Sequence, residues 1–387
     1  MTSLLNQPAA KLITARPGSL TPLPPAAVPG VPTGFLRPYA NERLNSRLSQ
    51  PLPLGSWTPS WDVPIDPSIK PSGLLAYGAS VLALGLSAYQ LFVAKKGLVN
   101  QPTTGRDAEL IPSANVFLIP DRYGRITAFD LISAAPSETL SPAGGMETKR
   151  TYFHRRPDGV TIVASLDASA SPHNPAPTIV TYLQVFNATG QATASRDALN
   201  APLYIAMHEN FLVLARRGAV DFIDLSLNVQ RRLEADMTPQ GLSLDESGRC
   251  YLLCAAPNRQ QLWIVSHTGE YSATPLPDGV TVFQRPPVVG YDHRIYLLAL
   301  DRILCLAANG QIEWQYQAPG RVAGATVSPN GLLLAAIGDA VVVLNPGGEA
   351  RTLCRVAGEQ LMGSPILGST GELYALSGRR LHCFVSG

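Results

Sequence analysis

Short apolar runs alternate with polar turns along most of this chain, and from about residue 110 the pattern repeats. Each copy has a short first apolar run, a break, and a second run that ends in a polar turn, often with glycine. The first runs begin 37 to 51 residues apart, at Val116, Val160, Phe211, Tyr251, Ile295, Leu332 and Leu373. A period of about 40 residues built from short strands is typical of a β-propeller, with one four-stranded sheet per blade. The seven copies therefore predict an all-β fold, a seven-bladed β-propeller over residues 110–387.

The last blade of such a propeller has to be joined to the first, because otherwise an unpaired strand edge stays exposed. The last apolar run, residues 381–384, stands at the end of the sequence as printed. We therefore expect a strand from residues 110–130 to complete the blade that contains residues 373–384.

Residues 73–94 differ from the rest of the chain, because these 22 residues carry no charged side chain. As an α-helix the segment is about 33 Å long, roughly the thickness of the hydrocarbon core of a bilayer. We predict a transmembrane helix over residues 73–96. The residues expected at the membrane interface are Tyr77, Tyr89, Lys95 and Lys96. A buried helix of a soluble domain is the alternative, and it is disfavoured because the run is apolar on every face.

The same segment is rich in small residues, which let helix backbones approach closely in lipid. The candidates for helix packing are Ala76, Gly78, Ser80, Ala83, Gly85 and Ser87. Contact with another membrane helix and a lone membrane anchor both fit this composition, and the sequence leaves the two open.

Residues 1–72 hold 14 of the 34 prolines. Neither a helix nor a central strand tolerates that density of proline. We predict an extended, proline-rich N-terminal arm over residues 1–72 that orders only against partners, and a linker over residues 97–109. Trp57 and Trp61 within the arm are expected to anchor either at a membrane interface or in a groove of a partner protein.

Composition narrows the functional classes. Charged residues make up only 15% of the chain, which suits an all-β repeat domain plus a membrane segment. The formal net charge of +2 is too small to indicate a nucleic-acid partner. Cys250 and Cys254 lie in one predicted strand, about 13 Å apart, too far for a disulfide. We expect all five cysteines to be buried free thiols. The six histidines lack ligand spacing and no catalytic motif occurs. We therefore expect no catalytic residues, no metal, no cofactor and no small-molecule substrate.

Residues 304–314 carry the best copy of the repeat, Leu-Cys-Leu-Ala-Ala-Asn-Gly-Gln-Ile-Glu-Trp. This run resembles the repeats of quinoprotein-like (PQQ-type) propellers and, more loosely, WD40-like ones. The resemblance implies that Gly310 is a turn glycine and that Trp314 packs between neighbouring blades. The quinoprotein dehydrogenases use a pair of adjacent cysteines over the cofactor and a Glu/Asn/Asp calcium set. This chain has no adjacent cysteines and no matching acidic set, so the resemblance implies the non-enzymatic branch, the scaffold propellers.

These features predict a non-catalytic, membrane-anchored scaffold subunit of a larger multiprotein membrane assembly. The expected partners are other protein subunits and the lipid bilayer, with contacts through the propeller surface and the proline-rich arm. A degenerate quinoprotein-type oxidoreductase or ligand-binding propeller is one alternative, and a membrane-protein assembly factor is another. Lys95, Lys96 and Arg106 follow the apolar run and only Lys70 closely precedes it. The positive-inside rule therefore predicts a single-pass protein with its propeller on the cytoplasmic side.

Overall fold

A computed structural model describes residues 11–13 and residues 48–387, the second range with short gaps. The gaps are at residues 49, 68, 70, 78–79, 86–87, 94–95, 103–108, 112–115, 122–124, 134, 142–147, 157, 172–173, 200–203, 209, 235, 257–258, 269 and 283–284. Over the described residues the fold is all-β, with 33 strands in eight sheets and no α-helix.

Two strands precede the regular blades, β1 (Lys11–Ile13) and β2 (Trp57–Pro64). The strands of blades 1 and 2 are β3 (Pro71–Tyr77), β4 (Ser80–Gly85), β5 (Ala88–Val93), β6 (Lys96–Pro102), β7 (Glu109–Ile111), β8 (Val116–Pro120), β9 (Ile126–Asp130) and β10 (Pro136–Leu140). Those of blades 3, 4 and 5 are β11 (Thr148–Arg155), β12 (Thr161–Ser171), β13 (Asn174–Phe186), β14 (Ala192–Leu199), β15 (Tyr204–Met207), β16 (Phe211–Arg216), β17 (Ala219–Asp224), β18 (Val229–Glu234), β19 (Thr238–Leu244), β20 (Cys250–Ala256), β21 (Arg259–Val265) and β22 (Tyr271–Pro275). Those of blades 6, 7 and 8 are β23 (Val288–Val289), β24 (Ile295–Leu298), β25 (Arg302–Leu306), β26 (Ile312–Gln317), β27 (Val322–Val327), β28 (Leu333–Ile337), β29 (Ala340–Leu344), β30 (Ala350–Arg355), β31 (Leu361–Leu367), β32 (Leu373–Ser377) and β33 (Arg380–Ser386).

Consecutive strands of a blade pair antiparallel, and the first strand is the innermost. From blade 4 through blade 8 to blade 1, the first strand of each blade lies against the first strand of the next. Between blades 7 and 8 the hydroxyl of Thr326 donates to the carbonyl of Pro365 at 2.9 Å. A Cβ at Gly324 would lie 2.5 Å from the carbonyl carbon of Gly363, so only glycine fits this approach. The turns that join first to second and third to fourth strands share one side of the ring, which we call the hairpin face.

The ring is closed by β2, which supplies the outermost strand of blade 8. It pairs antiparallel with β33, from Trp57 opposite Ser386 to Pro64 opposite Arg380. The prediction that a strand from residues 110–130 completes this blade is wrong, because β8 and β9 lie in blade 2. A strand from early in the chain thus completes the last blade, and the chain continues from it into β3 of the first blade.

Hydrophobic cores join the blades round the ring. Five smaller cores link blades 2 to 3, 3 to 4, 4 to 5, 5 to 6 and 6 to 7. The largest core of the described residues joins blades 7, 8, 1 and 2, and includes Leu334, Tyr374, Leu75 and Phe117 from these four blades. Burial is therefore continuous across the junction that β2 closes.

The propeller has eight blades, so the prediction of seven is wrong. The seven repeats of the sequence correspond to the second and third strands of blades 2 to 8. The segment predicted to be a transmembrane helix forms β3, β4 and β5 of blade 1 instead. Leu75, Leu82 and Leu91 on these strands are at most 1% exposed. Strands covered on both sides by protein are apolar on both faces, so an uncharged run fits a propeller blade as well as a bilayer.

The described part of the chain contains no helix long and apolar enough to cross a bilayer. The residues expected in or beside a membrane therefore take other positions. Ala76 and Tyr77 lie in β3, Ser80, Ala83 and Gly85 in β4, Tyr89 in β5 and Lys96 in β6. Gly78, Ser87 and Lys95 lie outside the described residues. Tyr89 is 1% exposed and packs edge-on against Phe117 of blade 2, with ring centroids 5.8 Å apart.

Candidate protein-interaction site

The turn between β25 and β26 has the geometry that glycine allows. Gly310 adopts a φ of +85°, a left-handed conformation that costs other residues energy. Its N–H donates to the carbonyl of Ala307 at 2.8 Å. A Cβ there would lie 2.6 Å from the side-chain oxygen of Thr274 in blade 5. The turn therefore directs β26 tightly back along the outside of blade 6.

Trp314, two residues into β26, bridges blades 6 and 7. It is 3% exposed, and its Nε1–H donates to the carbonyl of Pro346, in the β29–β30 turn, at 2.9 Å. The Tyr296 ring lies beside it, with centroids 6.0 Å apart. Trp314 thus fills the space between the two blades at the hairpin face and holds the outer strand of blade 6 in place.

Farther along β26, residues of blades 6 and 7 line a cleft of about 410 Å³, which we call the blade 6–7 cleft. Gly320 and Gly338 approach closely at its end, since a Cβ on Gly320 would lie 3.3 Å from the Cα of Gly338. Most of its lining is apolar. The lining includes Tyr316, Ile337, Val342, Asp339, Arg351, Thr352 and Arg355.

The outer edge of blade 6 carries a fifth strand, and among the described sheets this is the one that has five. The fifth strand is β1, which pairs parallel with β26. The paired positions are Lys11 with Trp314, Leu12 with Gln315 and Ile13 with Tyr316. The outermost strand of a blade therefore accepts an extended segment from far away in the sequence.

A second part of the N-terminal region is tied to blades 6, 7 and 8. Leu48 is 1% exposed, its N–H donates to the carbonyl of Val327 at 2.7 Å, and its carbonyl accepts from Tyr291 at 2.6 Å. The side chain of Asn330 bonds both the N–H and the carbonyl of Leu52, at 3.1 and 3.2 Å. Leu48 and residues 50–56 thus lie across the hairpin face and lead into β2. Both described parts of the N-terminal region contact blade 6.

An ion-pair network stiffens the edge strand. Arg294 lies in the turn just before β24. Its guanidinium is 2.5 Å from a carboxylate oxygen of Asp292 and 2.7 Å from a carboxylate oxygen of Glu313, which lies on β26. Burial lowers the pKa of Arg294, but hydrogen bonds to Glu313 and Asp292 outweigh it and raise the pKa overall. The cation therefore stays charged and links β26 to the inner part of its blade, which gives an added strand a rigid template.

Burial rather than reactivity characterises the cysteines. All five are buried, and none forms a disulfide. Burial raises the pKa of the Cys254 and Cys354 thiols to about 12. Cys250 and Cys254 share β20, and the other three lie in separate blades. No two cysteines are adjacent, so the cysteine pair that the quinoprotein dehydrogenases place over their cofactor is not present in this sequence. The described residues also include no group of His, Cys, Asp and Glu that could hold a metal ion.

One cluster of buried polar side chains was not predicted from the sequence. In blade 8 the His382 Nε2 lies 3.2 Å from the Ser377 hydroxyl and 3.8 Å from a Glu359 oxygen. Both neighbours face the same ring nitrogen, whereas a nucleophilic triad uses the two nitrogens separately. Ser377 is fully buried and also bonds Glu359 and the backbone of Arg380. The cluster satisfies buried polar groups at a strand end and leaves no accessible nucleophile.

Comparison with solved structures identifies the fold. The quinohemoprotein alcohol dehydrogenase from Comamonas testosteroni aligns with a TM-score of 0.64 at 9% identity, over 91% of this chain and 80% of that one. BamB from Moraxella catarrhalis aligns with a TM-score of 0.50 at 13% identity, over 85% of this chain and 97% of that one. Neither the protein-family models nor the curated proteins match this sequence. The predicted resemblance to quinoprotein-like propellers is thus confirmed for the fold, while the non-enzymatic branch stays a prediction.

Proposed function

We propose that this protein is a non-catalytic interaction propeller, a scaffold subunit of a multiprotein assembly that binds extended protein segments by β-strand addition to blade 6. The observation that carries the proposal is the parallel pairing of Lys11–Ile13 with β26. An edge strand presents unpaired N–H and C=O groups, and pairing these with an added strand is a recurring mode of peptide recognition.

The edge is rigid before any partner arrives. Trp314 and Tyr316 of β26 are at most 3% exposed and belong to the core that joins blades 6 and 7. A template that is already ordered loses little conformational entropy on binding, and this favours affinity. Membrane anchoring forms no part of the proposal, because the segment on which it depended is blade 1. The oxidoreductase alternative gains no support, because the cysteines lie apart in the sheets.

Two full-length variants test the proposal. In the open variant, Leu12→Pro and Ile13→Pro remove two of the three backbone N–H groups of β1, so the pairing with β26 is broken and its edge is released. In the locked variant, Leu12→Cys and Gln315→Cys place two cysteines at directly paired positions, where an interstrand disulfide holds β1 on the edge. The buried native thiols do not compete for this bond.

The measurement is selection of peptides from a displayed library on the open variant, followed by affinity determination. Selected peptides are expected to bind the oxidised locked variant at least tenfold more weakly than the open variant, and reduction restores their binding. N-methylation at alternate peptide positions should weaken binding, and N-methylation at the positions between should not, because neighbouring residues of a strand face opposite edges. Peptides that bind both variants equally, or a library that yields no binders, would refute edge recognition at blade 6.

A further inference from the structure

The edge of blade 6 and the blade 6–7 cleft are continuous. Tyr316 is both the residue of β26 opposite Ile13 and part of the cleft lining. Residues directly opposite one another in a sheet place their side chains on the same face. A strand bound to β26 therefore presents the residue opposite Tyr316 to the side of the sheet on which the cleft lies.

We infer that the blade 6–7 cleft is the specificity pocket of this edge, and that it takes a bulky apolar, preferably aromatic, side chain from a partner segment with an acidic residue close by. This inference rests on the proposed function and adds the class of segment that is bound. The resting occupant of the edge is the chain's own segment, Lys11–Ile13, which the partner displaces.

The size and lining of the cleft favour a large apolar side chain. Its volume of about 410 Å³ lies within the range of roughly 300–1,000 Å³ that small-ligand pockets span. Ile337 and Val342 contribute aliphatic groups to the lining. An aromatic side chain buries more apolar area than an isoleucine and needs few rotatable bonds to do so. A side chain larger than that of isoleucine therefore fills this cleft best.

The charges around the cleft favour an acidic partner. Arg351 and Arg355 face it together with a single acid, Asp339, which pairs with Arg355 at 2.7 Å. The guanidinium of Arg351 donates to the backbone carbonyls of Leu54 and Gly55, so its partners in these bonds carry no charge. The lining set thus has one net positive charge.

The chain's own segment does not match this charge. Lys11 lies within it and Arg16 lies just beyond it. The own segment gains instead from belonging to the same chain, because an intramolecular segment binds at a raised effective concentration. A segment with better side-chain and charge complementarity can replace it, so the arm sets an affinity threshold for partners.

Two labelled peptides test the inference on the open and locked variants. The first has the sequence of residues 7–17. The second is the same peptide with Ile13→Phe and Arg16→Glu. The second is expected to bind the open variant at least tenfold more tightly, and its advantage should shrink as sodium chloride is raised, since exposed charges are screened. Thr352→Trp in the open variant fills the cleft from an exposed position and should abolish the advantage. Ser272→Trp, on the exposed outer strand of blade 5, is the matched control and should leave it unchanged.

The outcomes separate the inference from the proposed function. Equal affinities of the two peptides, or an advantage that survives Thr352→Trp, would overturn the pocket. If both peptides still lose binding in the oxidised locked variant, edge recognition stands and only the pocket fails. If neither binds the open variant at millimolar concentration, the pocket is overturned, and the selected library peptides then decide edge recognition independently.

Discussion

Replacement of Trp57 by alanine tests the closure of the ring. Trp57 begins β2, is 6% exposed, and belongs to the core that joins blades 7, 8, 1 and 2. Truncation of a buried tryptophan typically costs about 3–5 kcal/mol, because apolar burial is lost and a cavity remains. A folded domain has in total about 5–15 kcal/mol of stability. Trp57→Ala should therefore lower the free energy of unfolding by a large fraction, and the loss should extend to the whole ring.

Two further variants provide a comparison for the stability loss of Trp57→Ala. The Nε1–H of Trp57 is buried and has no acceptor among the described residues, so Trp57→Phe gives up no hydrogen bond and should cost only about 1–2 kcal/mol. Trp61 lies on the same strand, is only half-buried, and contacts Tyr374 with ring centroids 5.9 Å apart. Trp61→Ala should cost about 0.5–1.5 kcal/mol for the lost aromatic pair, plus some loss of apolar burial.

The assay is urea unfolding followed by circular dichroism and by tyrosine and tryptophan fluorescence. The expected result is a single transition whose midpoint falls most for Trp57→Ala, with an unchanged denaturant slope. Equal midpoints for Trp57→Ala and Trp61→Ala would refute the role given to Trp57. An early separate transition, with the main one unmoved, would show that β2 does not couple the blades.

Three further predictions concern buried groups. Burial lowers the pKa of His382 below its usual 6.5, so its imidazole binds a proton more readily in the unfolded chain than in the folded one. The free energy of unfolding should therefore fall as the pH drops through about 6.5. His382→Gln should flatten this pH dependence. The five cysteine thiols should react with a disulfide reagent only after unfolding, because burial raises the pKa of Cys254 to about 12. Trp314→Ala should cost about 3–5 kcal/mol, and Trp314→Phe less, because Phe loses chiefly the bond to Pro346.

Each of these predictions has a clear contrary result. The same pH slope with and without His382 would remove that residue from the acid response. Rapid labelling of any native cysteine would show that its strand opens under native conditions. Equal stability losses for the two Trp314 variants would mean that the hydrogen bond, and not the buried ring, holds blades 6 and 7 together.

Local pattern was enough to locate most of the blades. The seven repeats correspond to second and third strands because these central strands are the most apolar and are joined by short turns, which makes their signal local. The repeat period also indicates the eighth blade, which was not predicted from the sequence. One period before Val116 lies the start of β4 at Ser80, 36 residues earlier, within the apolar run that was interpreted as a membrane helix.

The candidate site was predictable only in part. Gly310 and Trp314 were singled out from the repeat, and they lie in the turn and the strand that form the edge of blade 6. The pairing of Lys11–Ile13 with β26 joins residues about 300 positions apart, and no local pattern reports such a contact. The cleft likewise depends on how blades 6 and 7 pack against one another, which local sequence does not specify.

The amino-acid sequence by itself determined the class of fold, because strand periodicity, turn glycines and a period of about 40 residues are local properties that tertiary contacts only reinforce. Tertiary structure decided the meaning of the uncharged run at residues 73–94. An apolar segment can be shielded from water by lipid or by neighbouring strands, and only the fold shows that blades 8 and 2 cover it. Tertiary structure also decided that a strand from the proline-rich region, β2, closes the ring, because the free energy of that pairing lies in contacts between the two ends of the propeller.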